Sequence, residues 1–212
     1  MKRDIFISEK ASEWLNNKII QMGYGVRAVS GAVPRIGDHA DLYHCRLGAD
    51  TDAPVYSIDP ILVGSAYPKD CICNAACTGK YFIHRLDITD KDLLKTADDL
   101  GMTMIDVPQG YTKCSVLVVD DDSIITSDRG IEKSCSKAGM DVLLIRPGNI
   151  VLDGFKYGFI GGASGRIEDL ILFEGDITAH PDYETIYGFI TSRGLDIEYN
   201  TDMTLTDIGS II

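Results

Sequence analysis

Along the chain, stretches with apolar residues every three or four positions alternate with short apolar runs, and the alternation recurs. Four stretches predict one-faced helices: Ala11, Leu15, Ile19 and Met22; Leu93, Leu94, Ala97 and Leu100; Ile131, Cys135 and Ala138; and Ile186, Phe189 and Ile190. Ser8, Thr89 and Ser127 are the expected caps of the first three, and Pro181 the expected first residue of the fourth. Each stretch closes on a glycine (Gly23, Gly101, Gly139, Gly194), the residue suited to the left-handed position after a helix. A β-prone run follows every one of these glycines, and a short apolar run (5–7, 81–84, 123–126, 170–173) precedes every helix. A further strand, joined by a polar turn, is expected before two of these runs, at 71–74 and at 115–119. The unit is therefore strand, turn, strand, helix, strand.

The interval from Gly23 to Gly101 is about twice that from Gly101 to Gly139, which predicts a unit lacking its helix between them, with 55–58 as one strand. The junctions between units align as glycine, aromatic, lysine, strand: Gly64, Tyr67, Lys69; Gly110, Tyr111, Lys113; Gly154, Phe155, Lys156. Gly37-Asp38-His39-Ala40-Asp41 is an acidic variant of the same junction. The segment 206–212 stops where a first strand would begin, so it is expected to pair beside 4–7 and complete the first unit. Five units closed in this way, a single domain over residues 1–212, would leave no open sheet edge between the first unit and the last. A solenoid would instead carry capping repeats at both ends, and a doubly wound sheet would alternate one strand with one helix.

Composition narrows the partners. Twenty Lys and Arg against 32 Asp and Glu give a net charge of −12, which disfavours nucleic acid. There is no run of 18 apolar residues and no signal-like leader, so neither a membrane span nor export is expected, and the cytoplasm is the expected compartment. Six cysteines are expected as reduced thiols; Cys71, Cys73 and Cys77 are too closely spaced for a staple framework and do not follow the usual zinc-knuckle spacing. No metal or cofactor is expected. Asp120-Asp121-Asp122 is expected to be a solvated hairpin turn rather than a cation loop.

This repeat pattern, over residues 5–212, resembles the pentein fold, the five-bladed α/β propeller of the guanidino-group-modifying enzymes and of the ribosomal anti-association factor. The resemblance implies a site on the propeller axis, with Asp38, His39, Asp41, Asp70, Asn74, Lys113, Cys114, Lys156 and Asp207 as candidates. Enzymes of that fold use a late cysteine nucleophile, an H-x-D or H-x-E element, and carboxylates that hold the substrate guanidinium. His39-Ala40-Asp41 resembles the H-x-D element, and 161–166 stands where the late glycine-rich stretch would be. No cysteine follows Cys135, so the nucleophile would have to be Cys71 or Cys114. The sharpest expectation is Cys114 as nucleophile, His39 as general base and acid, and Asp41 with Asp38 or Asp70 clamping the cation.

Asn74, Lys113, Lys156 and Asp207 complete the expected binding set. Lys113 can assist Cys114 only if the junction is irregular, since neighbours on a strand face opposite ways. Lysines 69, 113 and 156 are expected either to converge on a carboxylate or phosphate or to lie on the surface, and Tyr67 and Tyr111 to line the mouth. The expected partner is a small guanidine, amidine or carboxylate compound. The alternative is a non-catalytic binding protein that takes a small molecule or another protein on the same architecture.

Overall fold

In the computed structural model, which describes residues 2–212, each amphipathic stretch is a helix that starts later than the pattern suggested. Helix α1 (Glu13–Gln21) is capped by Ser12, α2 (Lys91–Asp99) by Asp90, and a third long helix (Arg129–Lys137) by Asp128. Ser8 and Thr89 do not cap, because their hydroxyls are engaged elsewhere: Ser8 with Asp38 at 2.5 Å, Thr89 with His84 at 2.7 Å. Ser127 stands one position before the true cap, where the Asp128 carboxylate accepts from the N–H groups of Gly130 and Ile131. Pro181 lies outside the last helix (Tyr183–Thr191), which follows Asp182. The helix-ending glycines take the expected left-handed backbone, with φ of 88° at Gly23, 74° at Gly101, 93° at Gly139 and 75° at Gly194.

Among the described residues the fold is mixed α/β, with five α-helices and five small sheets. Strand β1 (Asp4–Ser8) pairs in parallel with β2 (Gly25–Val29) across α1. Strands β3 (His44–Arg46) and β4 (Val55–Ser57) form an antiparallel pair, and no α-helix lies between β2 and α2. Strand β5 (Ala76–Cys77) pairs antiparallel with β6 (Tyr81–His84), which pairs in parallel with β7 (Thr103–Asp106) beyond α2. After a one-turn helix α3 (Thr112–Ser115), the pattern repeats in β8 (Val116–Val118), β9 (Ser123–Thr126), α4 (Arg129–Lys137) and β10 (Asp141–Leu144). It repeats again in β11 (Ser164–Ile167), β12 (Leu170–Phe173), α5 (Tyr183–Thr191) and β13 (Asp196–Glu198).

Two local expectations are corrected. Residues 71–74 are turns rather than a strand, with Asn74 N–H donating to Cys71 O and Ala75 N–H to Cys73 O. The strand begins at Ala76 instead, because Asn74 is buried and spends its side chain on the backbone of α3. Lys113 and Cys114 sit on the helical turn α3 and not on a strand, so the junction is irregular.

Each long helix buries an i, i+4 pair. Leu93 and Ala97 of α2 join Val29, Tyr43 and Phe82. Ile131 and Cys135 of α4 join Ile83, Ile105 and Ile124, while Ile186 and Ile190 of α5 join Leu117, Ile125, Ile171 and Phe173. Leu15 and Ile19 of α1 pack instead with Ile167, Leu172, Ile208 and Ile211, from the far end of the sequence. Phe6 and Ile212 exchange backbone hydrogen bonds of 2.6 and 3.0 Å, and Ile211 N–H donates to Ser164 O. The segment 206–212 therefore bridges β1 and β11. Among the described residues, no helix is long and apolar enough to cross a membrane.

Candidate functional site

Three backbone segments far apart in sequence meet at one place: the 3-10 turn Ala40–Leu42 with His39 before it, helix α3, and residues 207–210. Asp41 N–H donates to Gly209 O at 3.1 Å, tying the first to the third. Gly209 has φ of 74°, and a Cβ there would lie 2.2 Å from the His39 side chain, so this contact requires glycine. Asn74 Oδ1 accepts from the N–H groups of Lys113 (2.7 Å) and Cys114 (3.2 Å), and its Nδ2 lies 3.5 Å from Cys114 Sγ. The glycine-rich stretch has its reason here as well: Gly162 N–H donates to Cys114 O, and a Cβ on Gly162 would stand 2.0 Å from Asp207 Oδ1.

The side chains so placed form a buried polar cluster. Cys114 Sγ donates to Asp41 Oδ2 at 2.9 Å, and Ser210 Oγ lies 2.6 Å from the same oxygen. Asp41 Oδ1 is buried without a partner. His39 Nδ1 is 4.0 Å from Asp207 Oδ1, and Asp207 accepts from the N–H groups of Phe159 (2.9 Å) and Gly209 (3.0 Å). Burial, then the Asp41 charge, push the Asp207 carboxyl up to about 6 against the opposing pull of His39. Burial first, then Asp41 and Asp207, push the Cys114 thiol well above its ordinary value. As it stands, the site therefore holds Cys114 as a thiol.

Cys114, His39 and Asp207 all line one cavity of about 360 Å³, together with Gln109, Tyr111, Lys156 and the apolar Ile36, Leu152, Phe155, Tyr157 and Phe159. That volume suits a small organic molecule. Cysteine, histidine and carboxylate side by side can support nucleophilic and general acid–base chemistry, and two buried carboxylates favour a cationic ligand. His39, Asp41 and Cys114 also form a group whose ligand atoms lie within 4.8 Å of one another, close enough to hold a metal ion.

The other expected residues are distributed as follows. Asp41 stands behind the cavity wall, bonded to Cys114. Asp38 is not on the wall; its carboxylate is taken by Ser8 and by Lys10 at 2.9 Å. Asp70 is off the wall, accepting at 2.7 Å from the hydroxyl of Tyr111, and its Oδ1 is buried without a partner. Asn74 positions α3 rather than lining the cavity.

The three junction lysines do not converge: Lys156 lines this cavity, Lys113 a second and separate one, and Lys69 is exposed and lines neither. Cys71 is also off the wall, its thiol directed to Pro68 O and pushed up to about 12, chiefly by burial. Of the two tyrosines, Tyr111 lines the cavity and Tyr67 packs against it from outside, ring centroids 5.8 Å apart. Sequence reasoning missed Ser210 and Gln109; the glycine before Ser210 was the one local signal that the segment makes a close approach.

Residues 58–212 match the model of a family described as Family of unknown function (DUF6873). No curated protein and no solved structure matches the chain.

Proposed function

We propose, for a chain that belongs to the family of unknown function DUF6873, that its five sheets are the blades of a closed α/β propeller of the pentein type and that the cavity is its axial site, where a guanidinium or amidinium compound meets the Cys114 thiol. The observation that carries this reading is the meeting of Cys114, His39 and Asp207, from three separate units, on one cavity wall. Closure is supported by the Phe6–Ile212 bonds and by the packing of α1 against the last sheet.

A planar cation answers the electrostatics of the cavity. Its charge would offset Asp41 and Asp207, lowering both the Asp207 carboxyl and the Cys114 thiol from their raised values. The Cys114 proton passes to His39. The thiolate forms a C–S bond to the amidino carbon as the C=N electron pair moves onto nitrogen. His39 returns the proton to the departing amine as that C–N bond breaks, leaving an S-amidino adduct. Water then adds to the same carbon with His39 taking a proton, the C–S bond breaks, His39 returns that proton to the Cys114 sulfur, and the urea-type product leaves the regenerated thiol behind. Asp207 holds the cation on the wall and Asp41 stabilises it from behind.

The second reading, binding without turnover, is favoured by the hydrogen bond that holds Cys114 as a thiol on Asp41. Both readings require a cationic ligand, and alkylation separates them. Chloroacetamidine, a cationic alkylating agent, should modify Cys114 at neutral pH at least about ten times faster than neutral chloroacetamide, one power of ten being 1.4 kcal/mol of transition-state preference. Asp207→Asn should remove most of that preference. Equal, slow alkylation by both reagents, with methylguanidine binding and no amine or urea release, would establish the second reading.

A further inference from the structure

Outside the proposed active site, the strongest unexplained feature is a small cavity of about 20 Å³ lined by Arg46, Lys113 and Arg166. Its volume admits one water-sized or single-atom species and not a larger group. Arg46, on β3, donates from Nη1 to Arg166 O at 2.7 Å. Its Nε and Nη2, which form the two-donor edge of the guanidinium, are buried and meet no protein acceptor. Lys113 Nζ reaches Ser210 Oγ at 3.1 Å and Gly161 O at 3.4 Å. Arg166 gives Nε and Nη1 to the carbonyls of Glu168 and Val119. Among the described residues, the one ion pair made by these three cations is Arg166 with Asp50 at 3.3 Å, and the Asp50 side chain is 76% exposed.

Arg166 faces Asp50 and the acidic turn Asp120-Asp121-Asp122, and Lys113 feels the Asp41 charge, so the uncompensated charge is centred on the buried, unpartnered edge of Arg46. Burial lowers Arg46 to about 10 and lowers Lys113 as well, and Arg46 adds to the lowering at Lys113. Proteins meet such a deficit with a counter-ion, and the free edge of Arg46 supplies two parallel donors for one.

We propose that this cavity binds a single small inorganic anion of halide size, held by Nε and Nη2 of Arg46 and neutralised by Lys113 and Arg166. Size sets its selectivity. Chloride and bromide fit, whereas gluconate does not. Occupancy also reaches the candidate active site, because Lys113 touches Ser210 and Ser210 touches Asp41.

The test compares thermal unfolding of the full chain in sodium bromide, sodium chloride and sodium gluconate at equal ionic strength. Both halides should raise the midpoint saturably, by about 4 °C at ten times the dissociation constant, over gluconate. Arg46→Met should lose the halide response. Lys113→Met should weaken it, and serves if the first variant does not fold. Crystals of the wild-type protein grown in bromide should show an anomalous peak within about 3.5 Å of the Arg46 guanidinium. Equal midpoints in bromide and gluconate, or bromide peaks confined to other places, would overturn the proposal.

Discussion

Asp207 ties the charge state of the cavity to pH. Its carboxyl is raised in the folded chain, so the folded state holds a proton that the unfolded state has released between its ordinary value near 4 and about 6. Its contribution to stability is therefore fully present below about pH 4 and is lost as the pH climbs to about 6, by up to about 3 kcal/mol. Denaturant unfolding at pH 4, 5, 6 and 7 should show the wild type losing more stability across that window than Asp207→Asn. Parallel pH profiles would place the titration elsewhere.

At this scale, the candidate residues were legible through the aligned junctions and the resemblance rather than through residue type. His39, Asp41, Cys114 and Asp207 stood out because each follows a junction glycine or closes a unit, and all four meet. Asp38 shares that junction but faces Ser8 and Lys10, because one backbone turn sends neighbouring side chains in different directions. Arg46 and Arg166 carried no signal, since an arginine buried by contacts far along the chain looks in sequence like any surface arginine.

Among the elements, the helices show where sequence patterns resolve and where they blur. The glycine stops are legible because a left-handed residue after a helix has few alternatives. The starts are less so, because several side chains near each start can cap and the choice depends on tertiary bonds. At α2, Thr89 turns to His84 and Asp90 takes the cap, also accepting from the Tyr56 hydroxyl at 2.6 Å. Asp90→Ala loses both, and should cost about 2 kcal/mol, or about 6 °C in the unfolding midpoint. Asp90→Asn, which keeps an acceptor, should recover most of this. A midpoint change under about 1 °C for the alanine variant would show that the cap carries no weight. Strand 71–74 was misread for a similar reason: apolar spacing fits both a strand and a buried turn, and the Asn74 contacts with α3 decide between them.

For the molecule as a whole, the segment 206–212 is the joint. It buries Ile208, Ile211 and Ile212 and bonds to Phe6, Asp41, Gly162 and Ser164 through its backbone. Removing residues 205–212 should cost about 6 kcal/mol from the three isoleucines alone, and circular dichroism should show the cooperative transition lost or moved far down in temperature. Cooperative melting at an unchanged midpoint would sink the closed arrangement. The internal repeat made this joint readable from sequence, because two incomplete units at opposite ends imply each other.

That joint also sets a schedule. A ribosome releases Asp41 and Cys114 long before Ser210, which lies 169 positions after Asp41. At ordinary translation speeds the interval is on the order of ten seconds. Through that interval the nascent chain carries the Asp41 carboxylate, joined after 73 positions by the Cys114 thiol, with no pocket around them. The buried cluster is thus withheld until residues 207–210 have been made, and chains truncated before them would lack the Asp207 and Ser210 contacts that complete it.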